Sequence, residues 1–328
     1  MYRTGNLLAR LGGVRLGGVR PCRAWPCGAL ALALPLALSI GGAARAETSV
    51  GPHPAYANVP SPALDPANAE SVVRDLLVES GIELSLEQFV AATLEAGVAG
   101  AKRGAGDAVD ADARVALITD ALADAFAMTR MRRVVTRNVA AAIAPGDADV
   151  MLRHYRSDLG QRLRNAARTR RPADDPAGYA RFVEALGSHP GDAERLALLE
   201  RYVRDSDVAE LVARFLVENR ITSLHAVQAL SAEAVRPRFE REVSATVDGL
   251  DRIRSMLAER LPPMLAYTYG EFSVDELGTM VSIELSEAGR RVTSGAFDGF
   301  REVAVAGNAG FVARIRAATS LTGLDVEI

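Results

Sequence analysis

Residues 65–82, DPANAESVVRDLLVESGI, decide how the rest of the chain is read. Asp65 followed by Pro66 is a helix start, because proline at the first helical position lacks only an N–H that the helix leaves unpaired and already holds the helical φ. Val72, Val73, Leu76 and Leu77 recur at the three- and four-residue spacing that gathers apolar side chains on one helix face. Gly81 stands where a left-handed C-terminal cap is expected. Outward from this segment, Ser85 with Gln88 forms a capping-box start for a second helix, and residues 112–143 read as one long or broken helical arm. Pro145-Gly146-Asp147 breaks and restarts the chain. Strand alternation is never sustained, aromatics are only 5% of the 328 residues, and Ala, Leu, Glu and Arg are abundant. The fold class expected is all-α.

The chain has room for about two domains, and it resembles itself. Residues 73–82 (VRDLLVESGI) line up with residues 212–221 (VARFLVENRI), and Met151, Ser157, Gly160 and Arg162 line up with Met280, Ser286, Gly289 and Arg291. These matches predict two diverged helical-bundle repeats, 65–170 and 206–318, joined by a linker with short helices over 171–205 and followed by a tail, 319–328. At Tyr155-Arg156-Ser157-Asp158-Leu159-Gly160-Gln161-Arg162 the sequence resembles the aromatic-x-Ser-x-x-Gly-Gln-Lys signature of an exported bacterial helical family, domain of unknown function 2059. Arg162 replaces the usual lysine. The second copy keeps Ser286 and Gly289 and has Glu284 where the first has the aromatic. The resemblance implies an all-helical periplasmic protein without an assigned reaction. Read as chemistry, Ser157 either bonds back to a carbonyl in mid-helix or caps a new helix after a break. Gly160, lacking a side chain, lets two helices cross closely, with Tyr155 as the anchor of that elbow.

Residues 1–46 read as a cleaved export signal: Arg3, Arg10, Arg15, Arg20 and Arg23 without an acid, an apolar run over 29–40, then Ala44-Arg45-Ala46. The run is well short of the ~20 residues a bilayer-spanning helix needs. Pro52, Pro54, Pro60 and Pro62 make residues 47–64 an extended tether. Both cysteines, Cys22 and Cys27, leave with the signal, so the mature chain is expected to have no disulfide, thiol nucleophile or thiolate metal site. A periplasmic location follows, which excludes nucleic acid as a partner.

Catalytic patterns are poor. His154 and Asp158, at i and i+4, could share a helix face, but two residues do not make a zinc site, and no HExxH, GxSxG, P-loop or dinucleotide fingerprint occurs. The acidic stretch over 107–112 lacks the turn glycine and terminal glutamate of a calcium loop. Gly295, Gly299, Gly307 and Gly310 read as close helix packing. No metal, no cofactor and no enzymatic activity are expected.

Charge gives a sharper clue. Beyond residue 46 the chain carries 32 basic against 41 acidic side chains, yet residues 127–171 hold eleven arginines against Asp147, Asp149 and Asp158. Such a dipolar protein can lay one face on an anionic surface. The expected function is therefore an envelope-associated interaction or scaffold module whose contact residues are Arg162, Arg164, Arg168, Arg170 and Arg171. Its partner would be an envelope protein or an anionic lipid surface. The alternative is a carrier that encloses an apolar small molecule or lipid, with residues 127–143 and 255–265 lining its cavity.

Overall fold

A computed structural model describes residues 66–322 apart from 106–110, 145, 232, 234 and 235. The export signal, the proline tether, the cysteines, most of the acidic stretch over 107–112 and residues 323–328 of the expected tail lie outside the described residues. Among those described there is no strand, and the fold is all-α: α1 (Pro66–Ser80), α2 (Ile82–Ala105), α3 (Ala111–Ala125), α4 (Met128–Ala142), α5 (Asp147–Arg156), α6 (Asp158–Thr169), α7 (Pro176–Ala185), α8 (Asp192–Asp205), α9 (Val208–Ala229), α10 (Arg236–Asp248), α11 (Leu250–Thr268), α12 (Val274–Glu284) and α13 (Glu287–Thr322). No helix among them is long and apolar enough to cross a membrane.

The chain turns between helices through two kinds of elbow, each of which occurs twice. In the first kind a buried serine ends one helix and a left-handed residue starts the next. Ser80 donates to the Leu77 carbonyl and accepts from the Ile82 N–H, while Gly81 sits at φ 81°. Ser206 donates to the Val203 carbonyl and accepts from the Val208 N–H, while Asp207 sits at φ 52°. In the second kind a serine caps the new helix. Ser157 accepts from the Gly160 N–H at 3.1 Å and Ser286 from the Gly289 N–H at 3.2 Å. A Cβ on Gly160 would lie 2.8 Å from the Tyr155 Cα, and one on Gly289 would lie 2.7 Å from the Ile283 carbonyl oxygen. Each glycine therefore lets its helix fold back against the end of the preceding one. The starts of those preceding helices match too: the Asp147 carboxylate accepts from the Ala144 N–H at 2.6 Å, and the Glu276 carboxylate from the Ser273 N–H at 2.9 Å.

Three sequence expectations are corrected here. Ser85 does not cap α2. With Gly81 left-handed, the helix starts three residues earlier, and Ser85 is buried with its hydroxyl donating to the Gly81 carbonyl. Residues 212–216 are not followed by the elbow that follows 73–77, because α9 runs unbroken through 219–222 where α1 turns. The segment that makes the same elbow is 199–208, and its buried side chains fall in the same order: Val73, Leu76, Leu77 and Ile82 on one side, Leu199, Tyr202, Val203 and Val208 on the other. Nor is 171–205 all linker, since α8 buries Leu199, Tyr202 and Val203 in the core.

One core runs through the molecule. Met131, Val135 and Val139 of α4 and Leu257, Leu261 and Leu265 of α11 repeat at four-residue spacing and are all buried. Phe89 of α2 and Phe215 of α9 meet edge to face at 5.4 Å, with Phe126 and Phe300 completing the cluster. The long α13 packs across α4, α9 and α3. Its Gly295 and Gly299 bring it close enough that a Cβ would stand 2.8 Å from the α4 backbone at Val139 and Val135. Gly310, by contrast, has only ordinary contacts.

Candidate functional site

Where the Ser80-Gly81 elbow faces the Ser157 elbow, the helices leave a cleft of about 420 Å³. Short left-handed and serine-capped turns place it: they bring the ends of α1 and α5 and the starts of α2 and α6 together without filling the space between them. Leu84, Leu163, Ala167 and Met280 supply apolar walls. Tyr155, Tyr269, His154 and Glu284 are buried at the floor, and Glu87 and Arg168 are exposed at the mouth. The other serine-capped elbow is closed at the corresponding register. Counting from its glycine, α13 carries buried Thr293 and Phe297 where α6 carries Arg164 and Arg168.

Glu284 is the unusual group. It is 4% exposed. Its Oε1 accepts from the Tyr155 hydroxyl at 3.1 Å, and its Oε2 is buried with no hydrogen-bond partner among the described residues. Burial pushes its carboxyl up to about 8, against which the Tyr155 hydrogen bond works only partly. The hydroxyls of Tyr155, Tyr202 and Tyr269 are all raised, by burial first and then by the nearby Glu284. His154 goes the other way: burial lowers it to about 4, so it is neutral near pH 7. The floor thus holds an acid that keeps its proton, a neutral imidazole and two phenols, with the Tyr202 phenol buried nearby and no fixed charge.

The residues singled out from the sequence meet different fates. Tyr155, Ser157, Gly160, Ser286 and Gly289 build the two capped elbows, and of the two roles open to Ser157 it takes the cap: it lies between helices, caps α6 and donates to the His154 carbonyl three residues back at 2.6 Å. The arginines are mostly committed inside the molecule. Arg162 pairs with Glu276 at 2.6 Å and lies 4.8 Å over the Phe272 ring. Arg164 holds the Glu79 carboxylate and carbonyl, Arg171 pairs with Asp174, and Arg170 lies over the Tyr267 ring at 5.6 Å. Arg168 has no such partner among the described residues. His154 and Asp158 share no helix face, because α5 ends at Arg156, and no group of metal-binding side chains occurs among the described residues. Neither 127–143 nor 255–265 lines the cleft, since both lie against α13, α9 or α8 in the core.

Glu284 was visible in the sequence only as a departure from the aromatic of the first copy. An acid at a register position that should be buried is the signal that marks it. Tyr202 and Tyr269 gave no comparable signal.

A cross-link of charge joins the two capped elbows. Arg162 reaches Glu276, which starts α12, and Arg291 reaches Asp147, which starts α5, at 3.0 Å. The two pairs are reciprocal, and Tyr155 meets Glu284 between them.

No family model, curated protein or solved structure matches this chain.

Proposed function

We propose that this is an exported, helical binding protein that holds a small molecule in the cleft between the α1–α2 and α5–α6 elbows and carries out no reaction of its own. The observation behind this reading is the buried Oε2 of Glu284, without a hydrogen-bond partner among the described residues, on a side chain that lines a cleft of about 420 Å³. An unsatisfied buried polar atom costs about 1–3 kcal/mol, and a ligand group bonded there removes that cost. Concave, mostly apolar spaces of roughly 300–1,000 Å³ with a few convergent polar groups are the usual form of small-molecule sites. A contact surface built on Arg162, Arg164, Arg168, Arg170 and Arg171 has less behind it, because three of the five are tied to carboxylates of the same chain.

Native mass spectrometry of protein copurified from its own envelope tests this. Wild type should carry a small-molecule adduct that Ala167→Phe, which fills the cleft, does not. A bare chain, or a retained protein partner and no adduct, would return the scaffold reading to first place. The same spectrum tests export: the mature chain should begin at Glu47, and a mass that keeps Cys22 and Cys27 would contradict cleavage.

The chain is also read here as a duplicated six-helix unit, α1–α6 and α8–α13, with α7 inserted between. What supports this is the recurrence of both elbow types in the same order and the reciprocal pairs Arg162–Glu276 and Arg291–Asp147, each of which joins one unit to the other. On this reading the cleft lies at the two elbows of the first unit, Tyr269, Met280 and Glu284 of the second unit complete it, and buried Phe297 stands at the corresponding register of the second.

A further inference from the structure

We propose that the cleft takes an organic amine, with its nitrogen between the Glu284 carboxyl and the rings of Tyr155 and Tyr269 and its carbon skeleton along Leu84, Leu163 and Met280. The proposal rests on the cleft reading above and names its ligand class.

The chemistry of the floor selects this group. Glu284 Oε2 lacks a partner, and no arginine is among the groups acting on its carboxyl. An amine satisfies that oxygen in either state of the acid. As an ammonium it donates to the carboxylate, and as a free base it takes the proton from Oε2–H and becomes an ammonium there. A carbonyl ligand would suit only the protonated acid, an alcohol could bond to either state but brings no charge to balance a carboxylate, and an anionic ligand would oppose its ionisation. Tyrosine ring faces are electronegative and attract a cation within about 6 Å of the ring centre. The one basic side chain at the floor, His154, is buried and uncharged near pH 7 and so does not compete for the carboxylate.

The surrounding charges permit this. Tyr155 faces Glu284 from α5, Tyr202 from α8, and Tyr269 from the turn after α11, while His154 of α5 lines the same cleft. Along the walls, Glu79 is paired with Arg164 and Glu83 with Arg132. That leaves Glu87 of α2 and Arg168 of α6, of opposite sign, at the mouth. An incoming cation therefore meets no uncompensated positive field.

Calorimetric titration of the intact protein with n-hexylammonium, n-hexanol and hexanoate tests the class. Hexylammonium should bind at least tenfold more tightly than hexanol at pH 8, and its affinity should rise severalfold from pH 6 to pH 8 as the carboxyl gives up its proton more easily. Glu284→Gln should bring hexylammonium down to the affinity of hexanol, with circular dichroism verifying the helical fold. Hexanol or hexanoate binding as well as the amine, and lost in Ala167→Phe, would overturn the amine and leave the cleft standing. If none of the three binds, or if binding survives Ala167→Phe, both readings fall.

Discussion

Replacing Gly160 with leucine should lower the unfolding free energy by about 3 kcal/mol, the upper end of overpacking penalties. A Cβ at that position would fall inside contact distance of the His154 carbonyl oxygen and 2.8 Å from the Tyr155 Cα. Those neighbours are backbone, which cannot swing aside as the tip of a side chain can. The elbow would have to open, parting Ser157 from the Gly160 N–H and pulling Tyr155 away from Glu284. Gly278→Ala is the control: a Cβ there meets nothing within 4 Å, and α12 should gain about 0.5–1 kcal/mol from replacing a mid-helix glycine. Chemical denaturation reads both. An unchanged midpoint for Gly160→Leu would mean that the elbow tolerates a side chain and that its geometry is wrong.

The second large effect is on the dependence of stability on pH. Between pH 4.5 and about 8 the folded chain keeps a proton on Glu284 that the unfolded chain has released, so the wild type loses stability as pH rises through that window. His154 acts in the opposite direction. Between pH 6.5 and about 4 the unfolded chain takes up a proton that the buried imidazole refuses, so stability falls as pH falls. Together these two groups place maximal stability at about pH 5–6. Glu284→Gln should remove only the alkaline limb, gaining on the order of 3 kcal/mol over wild type at pH 8 and little at pH 5, with the acid limb intact. Parallel pH profiles for the two proteins would show that Glu284 is not held protonated by burial.

These effects divide according to what could be read in residues 65–82 and in the motif around Ser157. The start at Pro66, the apolar stripe of α1 and the break at Gly81 were legible because caps, breakers and helical spacing act within a few residues. The serine-glycine elbow was legible for the same reason, and so was its second occurrence at Ser286 and Gly289. The start of α2 was misread because a capping-box pattern at Ser85 competes with a left-handed glycine just ahead of it, and the glycine prevails by releasing the backbone earlier. The letter match at 212–221 does not mark a second such elbow, because shared Leu-Val-Glu letters say only that a helix is amphipathic. What repeats physically is a buried serine followed by a left-handed residue, and Asp207 fills that place as well as Gly81 does.

Local sequence thus determined the helices, their caps and the sharp turns between them, since those depend on the dihedral preferences and hydrogen bonds of neighbouring residues. It could not determine where eleven clustered arginines spend their charge. Arg137 meets Glu302 and Arg162 meets Glu276 across more than a hundred residues of chain, and Arg132, Arg156, Arg164 and Arg171 also pair with carboxylates of the fold. Nor could it show that Glu284 is buried beside Tyr155, Tyr202 and Tyr269 with one oxygen unsatisfied. Burial, and the pKa shifts that follow from it, depend on which distant helices close over a side chain. Only the tertiary structure decides that.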